Sequence, residues 1–215
     1  YNWKKPYIVA EWGPYGWWEV GKTSWGAAIE ETSSEKAITY QESFQSILND
    51  TSNCLGSYVF LWGQKQETTS TWFSMFTNEE EETEVMDVMI KGWTGKTPEN
   101  QAPKISNFTL SNKVAENNII LKTGITLNAN VNISDPEEDK IIYQWQVIPE
   151  SNDKKTGGDK EKTPKPLKGI FKKSDSFKNT VSFTIQYPGE YRLFIFAKDG
   201  NGNVATGNIP FKIIE

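Results

Sequence analysis

Near residue 100 the hydrophobic pattern of this chain changes period, and that change limits the folds open to it more than any other feature. Before it, two near-continuous apolar runs, Pro6–Trp12 and Gly56–Trp62, alternate with two segments of helical spacing. After it come short runs of alternating apolar and polar residues, most of them separated by turn signals. The first pattern is that of a parallel α/β sheet, and the second that of an antiparallel sandwich. The change predicts an α/β portion at 1–98, a linker at 99–103 and an all-β domain at 104–215, so α/β plus all-β overall.

Composition divides at the same place. Eight of the nine Trp residues lie between Trp3 and Trp93, and residues 1–100 carry 7 Lys against 15 Asp and Glu. Residues 101–215 carry 16 Lys and Arg, Arg192 being the single Arg, against 13 Asp and Glu. A net charge of −5 without a basic stripe argues against nucleic acid as a partner. No apolar run is long enough to predict a membrane-spanning helix. With no His and a lone Cys54, Ser-His and Cys-His nucleophile pairs are excluded, and a conventional zinc site is disfavoured. Acid–base chemistry is left to carboxylates, Lys and Tyr.

In the first portion, Pro6–Trp12 reads as a buried strand and Gly13–Glu31 as a long Trp-rich loop. Thr32 and Glu35 fit a capping box that opens a helix, with Ala37, Tyr40, Phe44, Ile47 and Leu48 at helical spacing. Gly56–Trp62 reads as the second strand and Gly63–Thr71 as a polar loop. The acidic run Glu79–Glu84 reads as the start of a second helix, where it suits the helix dipole. Two strands cannot close a barrel, so this portion is expected to belong to something larger.

In the second portion, strands are expected at Lys104–Leu110, Asn118–Leu121, Thr126–Ile133, Lys140–Ile148, Thr180–Ile185, Tyr191–Lys198 and Asn203–Ile213. Seven short strands around Trp145 predict an immunoglobulin-like β-sandwich. Pro149–Pro166, rich in Lys, Asp and Gly, reads as a mobile surface loop.

Glu11 is the candidate catalytic residue. An apolar strand that ends in a carboxylate just before Gly13-Pro14 places that carboxylate at the strand's C-terminal mouth, where barrel enzymes keep their catalytic groups. Trp62 ends the second strand in a similar way. An aromatic face beside a carboxylate suits a sugar, whose ring stacks while the carboxylate attacks the anomeric carbon. Trp12, Trp17, Trp18 and Trp25 are candidate stacking surfaces, or simply anchors that pack the loop. Tyr15, Gln64 and Lys65, with Glu19 and Gln66, are candidate partners for sugar hydroxyls. The alternative for Glu11 is a solvated strand-end carboxylate.

The segments KPYIVAEWGPYGWWEV and CLGSYVFLWGQKQ resemble the seventh and eighth strands of clan A glycoside hydrolases, nearest to family 2-like TIM-barrel proteins of Bacteroidetes type. The resemblance implies the last two βα units of a (β/α)8 barrel followed by the sandwich. It implies a retaining glycosidase acting on extracellular poly- or oligosaccharide, with Glu11 as nucleophile and Trp62 as the platform under the cleaved sugar. Its acid/base would be a Glu after Asn at the end of a fourth strand. The one such pair, Asn78-Glu79, stands instead in the lead-in to the last helix. The acid/base and the first six strands are therefore expected from elsewhere in a longer chain or from another chain. This piece alone is expected to be inactive.

The same resemblance implies carbohydrate as partner, a role in polysaccharide utilisation and a secreted, periplasmic or cell-surface location. The alternative is a non-catalytic surface glycan-binding protein, or a component of an outer-membrane glycan-uptake complex, built on a degenerate barrel. Separately, Ser134–Asp139 resembles the turn of cadherin-like and polycystic-kidney-disease (PKD)-type modules. That likeness makes Asp135, Asp139 and Asp199 candidate calcium ligands; no other cofactor is expected.

Overall fold

The computed structural model describes residues 3–155 and 158–215. In chain order the first part holds β1 (Tyr7–Trp12), α1 (Ser33–Asn49), β2 (Cys54–Val59) and α2 (Glu84–Thr94). Then follow β3 (Lys104–Leu110), β4 (Ile120–Lys122), β5 (Thr126–Ser134), β6 (Ile142–Pro149), β7 (Thr180–Thr184), β8 (Gly189–Lys198) and β9 (Val204–Ile214).

The seven later strands form an immunoglobulin-like sandwich. One sheet has the order β3-β5-β7 and the other β4-β9-β8-β6. All neighbours are antiparallel except β4 and β9. Strand periodicity explains the core: Leu127, Ala129 and Val131 of β5 face Leu193, Ile195 and Ala197 of β8 across it. Trp145 lies there as expected, 6.0 Å from Phe108, with its indole N–H donating to the carbonyl of Lys178 at 3.0 Å.

The alternate residues of β8 and β9 are buried as well, among them Arg192, Phe194, Thr206 and Asn208. In a two-layer sandwich these would face water. Here the first part of the chain covers them as a third layer. Arg192 donates to the carbonyl of Ala28 at 2.8 Å, and Asn208 donates to Glu30 at 2.5 Å.

The start of α1 closes the seam between the two sheets. Its capping box forms as expected: Thr32 N–H donates to Glu35 at 2.7 Å, and Glu35 N–H donates to Thr32 Oγ1 at 3.3 Å. The next two hydroxyls accept main-chain N–H groups of both sheets. Ser33 Oγ accepts the N–H of Thr206 in β9, and Ser34 Oγ accepts that of Ile105 in β3, each at 2.9 Å. Gly207 permits this approach, since a Cβ there would sit 3.2 Å from Ile105 and 3.3 Å from Thr32.

The expected fold class for residues 1–98 is corrected. The described residues are mostly β, with nine strands in three sheets against two α-helices, and they do not form the two closing βα units of a barrel. β1 and β2 do pair in parallel, but as a two-stranded ribbon whose register slips twice. The apolar runs that read as buried barrel strands leave Ile8 53 % and Tyr58 67 % exposed. The helices pack against the ribbon through Trp12 and Val59, without forming the repeating βα layer of a barrel. α1 and α2 pack on each other through Ala37, Tyr40, Val85, Met86 and Met89, while the loop around Ala28 and Glu30 lies on the sandwich.

Two local expectations shift too. β2 ends at Val59, short of Trp62. α2 begins at Glu84, because the acidic run is a turn in which Glu80 takes φ 63° and donates its N–H to Thr77. The carboxylates of that run pair instead with a sandwich lysine: Lys198 lies 2.5 Å from Glu79 and 2.9 Å from Glu81.

Candidate functional site

β1 delivers Glu11 to the rim of a cleft of about 530 Å³, which the loop after the strand encloses. Trp12, Trp17, Trp18, Phe60 and Phe73 supply its apolar walls, and Glu19, Lys65, Glu67 and Lys155 its polar ones. Glu11 is exposed, and its carboxylate accepts no hydrogen bond among the described residues.

The Trp-rich loop is held by specific contacts. Trp17 and Trp18 meet edge to face at 5.5 Å, and Phe60 and Phe73 do the same at 5.4 Å. Trp72, buried beneath, donates its indole N–H to the carbonyl of Tyr15 at 2.9 Å. Gly16 matters because Trp18 lies against it: a Cβ there would sit 2.4 Å from the indole ring. Trp18 itself stays 60 % exposed, leaving ring surface open to a ligand.

The cleft carboxylates divide by their partners. Glu19 accepts the N–H of Gly16 at 2.7 Å. Glu67 takes the ammonium of Lys65 at 2.6 Å and the indole N–H of Trp17 at 3.3 Å. Both are thus engaged in shaping the walls, and Glu11 is the cleft carboxylate without a hydrogen-bond partner among the described residues.

Of the residues expected to bind substrate, Trp12, Trp17, Trp18 and Lys65 line this cleft with Glu11. Trp12 also stacks on Phe44 at 5.8 Å, so it is an anchor as well as a wall. Trp62 does not line it. It lies 5.1 Å from Phe76 and 6.4 Å from Trp93, and remains 66 % exposed. Tyr15 lines a neighbouring groove with Glu31 and Glu35. Gln64 donates to the carbonyl of Ser70, Gln66 is buried, and the indole nitrogen of Trp25 is buried outside the cleft.

Phe60, Phe73, Glu67 and Lys155 escaped the sequence reading. For Lys155 the signal was misleading: a polar insertion reads as solvated loop, yet Glu161 within it is 2 % exposed.

Two of the three calcium candidates, Asp135 and Asp199, act as turn caps. Asp135 Oδ1 accepts the N–H groups of Glu137 and Asp139, at 3.1 and 2.8 Å. Asp199 accepts those of Asn201 and Asn203, at 2.7 and 3.0 Å, and Asp139 takes the amide of Asn201 at 2.8 Å. Among the described residues no group of three or more His, Cys, Asp or Glu is disposed to hold a metal. Nor is any described helix long and apolar enough to cross a membrane.

The class that the later strands define is an immunoglobulin-like domain. No family model matches the chain, and no curated protein does. Among solved structures it is similar to the PKD domain of an M14-like peptidase from a Thermoplasmatales archaeon, with 21% identity and a TM-score of 0.32 over 54% of this chain and 99% of that one. It is similar also to the PKD1 domain of Epp from Vibrio anguillarum, with 16% identity and a TM-score of 0.28 over 54% and 96%. A third is a human PKD domain, with 18% identity and a TM-score of 0.29 over 49% and 80%. What overturns the resemblance to the end of a clan A barrel is the fold of the described residues, nine strands in three sheets with β1 and β2 as a two-stranded ribbon.

Proposed function

We propose that the cleft binds carbohydrate and that Glu11 is the nucleophile of a retaining glycoside hydrolase whose acid/base carboxyl lies outside this chain. The observation that carries this reading is Glu11 itself: an exposed carboxylate at a strand end, without a partner among the described residues, in a cleft walled by Trp12, Trp17 and Trp18. Indole faces stack on the apolar faces of sugar rings, and a free carboxylate beside them can attack the anomeric carbon.

In the first step a Glu11 oxygen bonds to the anomeric carbon, and the bond to the leaving-group oxygen breaks with its electron pair going to that oxygen. The acid/base carboxyl protonates it. Water, deprotonated by the same group, then displaces Glu11 with net retention. The natural setting of such a substrate, a poly- or oligosaccharide, is extracellular or periplasmic.

A second reading has its own observation. Glu19 and Glu67 are both engaged, so no second free carboxylate stands beside Glu11 among the described cleft residues. On that ground the cleft is a glycan receptor, at the cell surface or in an outer-membrane uptake complex.

One experiment separates the two. The protein is incubated with 2,4-dinitrophenyl 2-deoxy-2-fluoroglycosides of several sugars, whose leaving group needs no acid. Mass spectrometry of the peptide bearing Glu11 then reads covalent labelling. Labelling that Glu11→Gln abolishes supports the nucleophile. Sugar binding by calorimetry without any labelling selects the receptor, and neither signal sinks both.

A further inference from the structure

We propose that Glu161, from the sandwich insertion, is a positioning residue of the cleft: through the turn at Thr68 it fixes the carboxylate of Glu67, which in turn orients Trp17 and Lys65. Its importance for a ligand rests on the carbohydrate reading above; its effect on the shape of the cleft does not.

Glu161 is a carboxylate buried to 2 % exposure in a segment whose composition predicts a solvated loop. One oxygen accepts the N–H of Lys155 at 3.0 Å, within its own segment. The other accepts the N–H of Thr68 at 2.7 Å, 93 residues away. Hydrogen bonds to an ionised acceptor are about twice as strong as neutral ones, so this one can hold a backbone that would otherwise relax.

The turn it holds has reason to relax. Thr68 sits at φ 62°, in the left-handed region that a β-branched residue rarely adopts. Its hydroxyl is buried without a hydrogen-bond partner among the described residues. Glu67 and Thr69 close the turn through reciprocal N–H to carbonyl bonds of 3.0 and 2.6 Å. Glu67, the first residue of this tight loop, is the one whose side chain holds Trp17 at 3.3 Å and Lys65 at 2.6 Å in the cleft wall. Without the acceptor for Thr68 N–H, the turn opens, and the aim of Glu67 goes with it.

The test uses Glu161→Ala, Glu161→Gln and the double variant Glu161→Ala/Thr68→Gly, with two readouts. The first is the Trp17 indole N–H resonance in a ¹H–¹⁵N spectrum, assigned with Trp17→Phe, which needs no sugar. The second is the affinity for a sugar that the wild type binds. Glu161→Ala is expected to shift the Trp17 resonance and to weaken sugar binding by roughly tenfold. Glu161→Gln, keeping one carbonyl acceptor, restores part of both. Glycine takes a positive φ at no steric cost, so Thr68→Gly is expected to return the resonance toward its wild-type position in the alanine background.

An unmoved resonance in Glu161→Ala overturns the proposal. So does a shift that Thr68→Gly leaves uncorrected, or one that tracks a loss of thermal stability of the whole chain. If the wild type binds no sugar, the carbohydrate reading fails, and the resonance alone still decides the role of Glu161.

Discussion

Arg192 reaches out of the sandwich to the main-chain carbonyl of Ala28, 164 residues away, and bonds it at 2.8 Å. The same guanidinium takes both oxygens of Glu150, at 2.6 and 3.0 Å, and donates to Asn208 at 2.8 Å. Four acceptors around one planar fork explain why the chain, otherwise supplied with lysine, has its single arginine here. The layer carrying the cleft is thereby tied to β8.

Arg192→Lys is expected to destabilise the chain although it keeps the charge. An ammonium cannot grip Glu150 with two parallel bonds and also reach Ala28 and Asn208. The loss should be about 2–3 kcal/mol, the scale of hydrogen bonds to a charged group. A urea titration reads it as a lower midpoint, and an unchanged midpoint would show that the fork is dispensable.

Beside it lies a buried pair, Lys36 and Glu30 at 2.6 Å. Burial by itself would raise the Glu30 carboxyl, but the charge of Lys36 and the hydrogen bonds from Lys36 and Thr69 outweigh it and hold the carboxyl below its ordinary value. Lys36→Met removes the main counter-charge and should cost about 3–5 kcal/mol, the usual penalty for orphaning one member of a buried pair. Glu30→Gln/Lys36→Met should recover much of that. A double variant no more stable than Lys36→Met would refute the pairing as the source of the loss.

Much of the sandwich was legible in advance because its determinants are local. Period-two runs such as Thr126–Ile133 and the Asp199–Gly202 turn mark strands and their ends without reference to anything distant. The capping box at Thr32 and Glu35 is local in the same sense. The first part was misread for a physical reason. An apolar run such as Tyr7–Ala10 has the same letters whether it is buried on two faces in a barrel or on one in a ribbon, and only the partner layer decides. For the ribbon that partner is the α1–α2 pair, against which Trp12 and Val59 rest, while the loop around Ala28 and Glu30 meets β8 and β9 through Arg192 and Asn208. In the site, Glu11 and its Trp neighbours are contiguous in sequence, which is why the sequence groups them. Lys155 and Glu161 come from the other portion of the chain, and no spacing rule joins them to the cleft. Trp62 was assigned to the cleft by strand-end position, but its ring lies instead against Phe76 and Trp93.

Gly16→Ala tests whether Trp18 is a ligand platform. Its new Cβ would overlap the indole ring, 2.4 Å away, and the ring must swing aside. Because Trp18 is largely exposed, the fold should tolerate the move. The expectation is a weakening of sugar binding by about tenfold, equivalent to ~1.4 kcal/mol, with little change in melting temperature. Unaltered affinity in calorimetry would remove Trp18 from the site.

Asp87 should make stability depend on pH in an unusual direction. It lies in the first turn of α2, with one oxygen accepting the N–H of Ala102 at 2.8 Å and the other buried without a partner among the described residues. Burial pushes its carboxyl up from 3.8 to about 6; the Ala102 bond opposes this, Glu84 and Glu82 add repulsion, and Lys104 counters it. A raised folded value means that the folded state holds the proton more tightly than the unfolded chain. The contribution of neutral Asp87 is therefore complete below about 3.8 and fades as pH rises through 6. Carboxylates such as Glu30 act with the opposite sign, gaining above their ordinary value and losing in acid, so the whole-protein curve mixes both. Asp87→Asn isolates the term, since the amide oxygen still accepts from Ala102 and cannot ionise. Its melting temperature relative to wild type should climb between about pH 4 and pH 6 and level off above that. A difference that stays flat across that range would mean that Asp87 keeps its charge, and that the orphaned oxygen is solvated or paired in solution.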